Sequence, residues 1–281
     1  MLLSRAKSIN NESKRRKVGL ALGGGAARGL AHIGVLEVLE KEGIPIDMIA
    51  GTSMGAIIGA FYAHTCDIDS MKKLAVAMGK QRIRFFTDLT IPRTGILRWK
   101  RIEDRLKRVI GGVRFEDLKV PFSCIAVDID NGEEVILNRG YVWDAVRASA
   151  TVPVALSINP WQGRYLVDGG VLNPIPVDVV RKMGADFVIA VNVLRDTPGA
   201  GKKPRKKIKE QPNIFTVMTK TVYAISYRTV AASLSNADMV IEPHMSDIAF
   251  TGFKRVEECI KRGRLMAEKA IPEIKRQLSL A

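Results

Sequence analysis

An α/β fold, with a central, mostly parallel sheet flanked by helices, is what this sequence predicts. Three observations carry that expectation. Residues 18–64 run strand, loop, helix, strand, turn, helix, the opening of a βαβα succession. A later stretch, "DFVIAVNV", is apolar almost throughout, as a strand covered on both faces must be. Between and after these, further short apolar strands alternate with helical patterns.

In order, residues 1–17 are polar and basic and read as an N-terminal arm. Val18–Leu22 reads as a buried strand, Gly23–Gly25 as a glycine loop, and "ARGLAHIGVLEVLEKEG" as a helix stopped by Gly43. "IDMIAGT" is a second strand that leads through Ser53 into the helix "MGAIIGAFYAH". Residues 67–79 read as a helix, and 80–108 as an irregular segment rich in aromatic and basic residues. "PFSCIAVDI" and "EEVILN" form a strand pair across the turn Asp130-Asn131-Gly132. "VWDAVRASA" is a short helix, "RYLVDGG" a strand ending in a turn, "VDVVRKMG" a helix. Residues 195–212 read as a basic loop, 213–236 as a long helix, "DMVIEP" as a strand, and "KRVEECIKRGRLMAEKAIPEIKRQL" as a closing helix. With no repeat and no linker between two cores, residues 18–281 are expected to form a single domain.

The chain has 281 residues, 47% of them hydrophobic, which supports a sizeable core and excludes a disordered chain. Its formal charge of +15, from 44 basic against 29 acidic residues, predicts an anionic partner. Composition alone does not choose between a membrane surface and nucleic acid. Cys66, Cys124 and Cys259 are far apart, with no metal-ligand spacing, and are expected to be free thiols in a reducing compartment. The N-terminal residues lack a signal peptide's apolar core, and no run reaches the roughly 18 apolar residues of a spanning helix. A cytoplasmic protein, peripheral on the inner face of the membrane, is the expectation.

The chemistry centres on Gly51-Thr52-Ser53-Met54-Gly55, a G-x-S-x-G pattern set between a strand and a helix. That context is what a nucleophile elbow needs, and a helix N-terminus favours an oxyanion beside Ser53; an ordinary Ser helix cap is the alternative. A Ser-Asp-His order leaves His244 as the histidine, since His32 lies inside the first helix and His64 ends the second. A carboxylate is the other acceptor: Asp168 follows the apolar "YLV" and precedes Gly169-Gly170. Asp is a weak base unless its site raises its pKa. The loop "GGGAARG" has two readings. It resembles a dinucleotide fingerprint imperfectly, with Asp47 as the ribose acid; or its bare N–H groups, with that of Met54, form an oxyanion hole. Arg28 either attracts an anionic head group or braces the loop.

Together, "GGGAARGLAHIGVL", "GTSMG", "ASATVP" and "DGG", in this order, resemble the bacterial patatin-like phospholipase family from about Val18 to the C-terminus. The resemblance implies a patatin-like three-layer sandwich and a Ser–Asp dyad with no catalytic histidine, metal or cofactor. It makes Ser53 the nucleophile, Asp168 its partner, and Gly23, Gly24, Gly25 and Ala26, with Met54, the oxyanion hole. Arg28 occupies the family's basic position, and Ala148–Pro153 shapes the site. It implies hydrolysis of phospholipid, lysophospholipid or other lipid esters.

The charge fits such a substrate. Lys202, Lys203, Arg205, Lys206, Lys207 and Lys209, with a second cluster at Lys14–Lys17, are expected to meet anionic lipid rather than nucleic acid. Residues 80–101, with Phe85, Phe86 and Trp99 among basic residues, read as a lid or as a covering loop. Two other classes stay open: a dinucleotide-binding oxidoreductase, and a non-catalytic adaptor on the same fold acting through protein or membrane binding.

Overall fold

The structure, a computed structural model, describes residues 15–80, 104, 107–152, 160–194 and 214–280. The arm before Arg15, residues 81–101 and the basic loop 195–212 lie outside these residues, as does Pro153. Among the described residues, eight strands form the sheet: β1 (Val18–Leu22), β2 (Met48–Thr52), β3 (Phe122–Asp128), β4 (Glu134–Leu137), β5 (Pro160–Trp161), β6 (Arg164–Asp168), β7 (Phe187–Val191) and β8 (Met239–Ile241). The α-helices with described bounds are α1 (Ala31–Lys41), α2 (Met54–Thr65), α3 (Ile68–Lys80), α4 (Val142–Ser149), α5 (Val177–Lys182), α6 (Ile214–Leu234) and α7 (Val256–Leu278).

The sheet runs β5-β6-β3-β2-β1-β7-β8, with β4 also on β3. It is parallel from β3 through β2, β1 and β7 to β8, and antiparallel where β4, β6 and β5 join. The sheet is therefore mixed, parallel at its centre. Alternation along the strands divides the core into two layers. Val18, Leu20 and Leu22 of β1 point into a large cluster with α1, α2, α3, α4 and α7. Ala21, with Ala50 of β2 and Ala190 of β7, points the other way, against Val177 and Val180 of α5 and Val230 of α6. Large side chains on one face and small ones on the other leave α5 and α6 close to the sheet.

The helix expected after the glycine loop begins as a tighter 3-10 turn, Ala26–Leu30, before α1. Arg28 N–H closes the first 3-10 turn onto Gly25 O, while Ala27 N–H is drawn outward to Phe250 O. The second basic cluster is only partly an arm. Arg15 pairs with Asp47 at 2.6 Å, and the Arg16 guanidinium donates to Asp186 O while stacking on Phe187. These residues hold the N-terminal edge of the sheet rather than project from it.

The join between β1 and α2 leaves no room for side chains. A Cβ on Gly55 would lie 2.1 Å from the Leu22 carbonyl oxygen, backbone that cannot turn aside. Gly55→Ala is expected to cost more than about 3 kcal/mol, or to prevent folding. Chemical denaturation checks this, and an unchanged midpoint would contradict the packing described.

Candidate active site

β2 and β6 meet end to end on one edge of β3. Cys124 and Ile125 pair with both β2 and β4, whereas Ala126 and Val127 pair with both β4 and β6. A residue has only two lateral neighbours, so β4 fills one edge of β3 and β2 and β6 share the other. β2 is parallel to β3 and β6 antiparallel, so their C-termini converge. Thr52 lies opposite Ile125 and Asp168 opposite Ala126, the next residue. The chain then turns out of the sheet at both ends, bringing Ser53 and Asp168 together.

Ser53 sits at φ 54°, ψ −115°, a left-handed conformation that a side chain adopts only under constraint. It lies between the last residue of β2 and the first of α2, the geometry of an elbow. Asp168 is 4% exposed. Its Oδ1 accepts the Gly170 N–H at 2.8 Å. Burial pushes the carboxyl up from its ordinary 3.8 to about 6, against hydrogen bonds from the Ser53 side chain and the Gly170 amide that hold it down.

The "ASATVP" block ties both residues. Ser149 Oγ accepts the Ser53 N–H at 3.1 Å, and Thr151 O accepts the Asp168 N–H at 2.9 Å. Neither bond is readable from the block's sequence alone. Ser226 is the other residue that sequence reasoning missed. Buried on α6, it donates to Gly170 O at 2.5 Å and lines the cleft beside Asp168. The sequence does not single it out, since α6 also carries Thr216, Thr219, Thr221, Thr229 and Ser233.

The glycine loop divides in two. Gly23 N–H donates to Val191 O at 3.1 Å and Gly24 N–H to Pro174 O at 2.9 Å. Those two amides are spent on holding the loop, which corrects the expectation that both Gly23 and Gly24 donate to an oxyanion. Among the described residues, Gly25, Ala26 and Met54 have no recorded partner for their N–H groups. Gly25 must stay bare, since a Cβ there would meet Val193 Cγ2 at 2.5 Å. Gly24 and Gly25 line a narrow cleft with Ser53, Asp168, Gly170 and Ser226.

Arg28 is not on that lining. Its guanidinium is buried, donates to Ile248 O at 2.8 Å and stacks on Phe250 at 4.2 Å. The brace reading fits this placement, and the head-group reading does not. His32 braces the loop too, with Nε2 2.7 Å from Gly23 O and Nδ1 unpartnered among the described residues; burial lowers it to about 4. His64 and His244 do not line the cleft either. Asp47, the ribose acid of the dinucleotide reading, precedes β2 and pairs with Arg15. It stands at the opposite end of parallel strands from the loop that follows β1, so the dinucleotide reading fails on geometry.

Among the described residues, no group of acidic, His and Cys side chains is arranged to hold a metal. Cys66, Cys124 and Cys259 are free thiols whose pKa values burial raises. No helix of the described residues is long and apolar enough to cross a membrane.

Known proteins resemble the chain in sequence and in fold. The family model "Patatin-like phospholipase" matches residues 20–181. Lysophospholipase NTE1 of Scheffersomyces stipitis is 30% identical over 94% of the chain, which spans 18% of that relative. An uncharacterized NTE family protein of Mycobacterium tuberculosis is 38% identical over 64% of the chain, half its own length. VipD from Legionella pneumophila superimposes with a TM-score of 0.51 at 13% identity, covering 92% of this chain and 67% of VipD, a likeness of fold.

The raised Asp168 carboxyl has a consequence for stability. The folded chain binds this proton more tightly than the unfolded chain, so the contribution is full below 3.8 and is lost as pH rises through about 6. Asp168→Asn is therefore expected to be more stable than wild type at pH 7.5, by up to about 3 kcal/mol, with the gain vanishing below pH 4. Denaturant midpoints at the two pH values check this; a variant destabilised at pH 7.5 would contradict it.

Proposed function

The chain belongs to the patatin-like phospholipase family, and from that premise we propose that it is a serine acyl hydrolase acting on lipid carboxylic esters through Ser53 and Asp168. One observation carries the reading: a serine on a constrained elbow shares a cleft with a buried carboxylate whose basicity is raised. At about 6, Asp168 is ionised at pH 7.5 yet is a stronger base than an ordinary carboxylate.

Asp168 takes the Ser53 proton as Oγ attacks the ester carbonyl. The carbonyl oxygen becomes an oxyanion held by the N–H groups of Gly25, Ala26 and Met54, with the N-terminus of α2 behind them. The C–O bond breaks, and protonated Asp168 returns the proton to the departing alcohol. Water then attacks the acyl-serine, losing its proton to Asp168; the acyl–Oγ bond breaks, Asp168 returns the proton to Ser53 Oγ, and the fatty acid leaves. Ser149 and Thr151 keep the two reacting side chains in register, and Arg28 and His32 keep the donor loop in place.

The relative named a lysophospholipase supports a lysophospholipid or phospholipid substrate. The charge of +15 supports action at an anionic membrane surface. The run Lys202–Lys209 would attract such a surface by roughly 1 kcal/mol per basic residue.

Hydrolysis of p-nitrophenyl acyl esters tests the reading. Ser53→Ala and Asp168→Asn are each expected to lose at least about a thousandfold in kcat/KM while remaining folded. Wild-type activity is expected to rise with pH to a plateau, with its half-point near 6, since only ionised Asp168 accepts the proton. Full activity in Ser53→Ala, or an inert wild type across the ester series, would refute it.

A further inference from the structure

α6 turns an unusual face outward. Ser226 and Val230 point to the body, Ser226 into the catalytic cleft. On the opposite face, at helical spacing, Val217, Ala224, Ile225, Tyr227 and Ala231 are exposed, with Thr221 and Arg228 as the polar and charged members of the group. The large ones are 42% (Val217), 44% (Ile225) and 51% (Tyr227) exposed. A solvated helix face is normally lined by charge. Large apolar side chains such as Ile225 and Tyr227, grouped on one exposed face, are the mark of a surface that something else covers.

Resting on the lipid-ester reading above, we propose that this outward face of α6 enters an anionic phospholipid membrane. Three features select that occupant. The chain carries +15, so a second copy on this face would bring like charge to like, whereas an anionic surface is complementary. Six basic residues, Lys202 to Lys209, precede the helix closely in sequence. Tyr227 and Arg228 have apolar bodies and polar tips, suited to the boundary between acyl chains and head groups. The docking helix is also a wall of the cleft: Ser226 binds Gly170 O, and Gly170 N–H binds Asp168. A lipid drawn from the bilayer along α6 would thus arrive at Ser53.

Flotation of the full chain with vesicles of equal parts phosphatidylcholine and phosphatidylglycerol tests the proposal, beside hydrolysis of a water-soluble short-chain p-nitrophenyl ester. Wild type is expected to float. Ile225→Asp and, separately, Ile225→Lys are each expected to weaken binding about tenfold or more, with the soluble ester still cleaved. The lysine variant separates insertion from attraction, because it adds positive charge and yet removes apolar contact. Both variants floating as wild type does, or Ile225→Lys floating better, would overturn the proposal. So would a wild-type dimer that Ile225→Asp dissociates without loss of vesicle binding. If wild type cleaves no ester, the hydrolase reading fails, while flotation still decides the surface.

Discussion

The site depends on how one edge of β3 is shared. β2 reaches that edge in parallel and stops at Thr52, opposite Ile125; β6 arrives antiparallel and stops at Asp168, opposite Ala126. Two strand ends facing each other along one edge have nowhere to continue. Both chains must leave the sheet there, one into α2 through Ser53, the other into the tight turn Gly169–Val171. A parallel neighbour alone could not present a second C-terminus at that point. The antiparallel join of β6 is therefore what creates the pairing of hydroxyl and carboxylate.

That meeting point is costly to hold, and the surroundings are arranged around the cost. Ser53 occupies a conformation that glycine prefers, and Asp168 is a carboxylate buried where its charge is disfavoured. Main-chain and hydroxyl hydrogen bonds fix each of them, from Ser149 and Thr151 on one side and from the Gly170 turn on the other. Gly170 is fixed in turn by Ser226. The same logic governs the glycine loop, where the Gly23 and Gly24 amides anchor the backbone while, among the described residues, those of Gly25 and Ala26 meet no backbone acceptor. An N–H spent on anchoring the loop is not free for another acceptor.

Much of this was legible in the sequence, for identifiable reasons. Val18–Leu22 and "DFVIAVNV" could be read as buried strands because both faces are covered, and G-x-S-x-G because the glycines remove atoms where α2 touches β1. The strand pair around Asp130-Asn131-Gly132 followed from turn chemistry. The division of labour within Gly23–Ala26 was not legible, because the acceptors Val191 and Pro174 lie far along the chain. Arg28 stayed ambiguous for the same reason: Ile248 and Phe250, which hold it, come from beyond β8. The proximity of Asp168 to Ser53 came from family resemblance, not from spacing, since it rests on a strand pairing that periodicity does not encode.

The most direct test of the account is the site and pH dependence of covalent labelling by an alkyl fluorophosphonate, read by peptide mass spectrometry. A phosphonyl adduct confined to the peptide bearing Ser53, forming at a rate that rises with pH through about 6 as Asp168 ionises, is the predicted result. An adduct on another residue, or a rate indifferent to pH across that range, would contradict the claim that this buried carboxylate activates this serine.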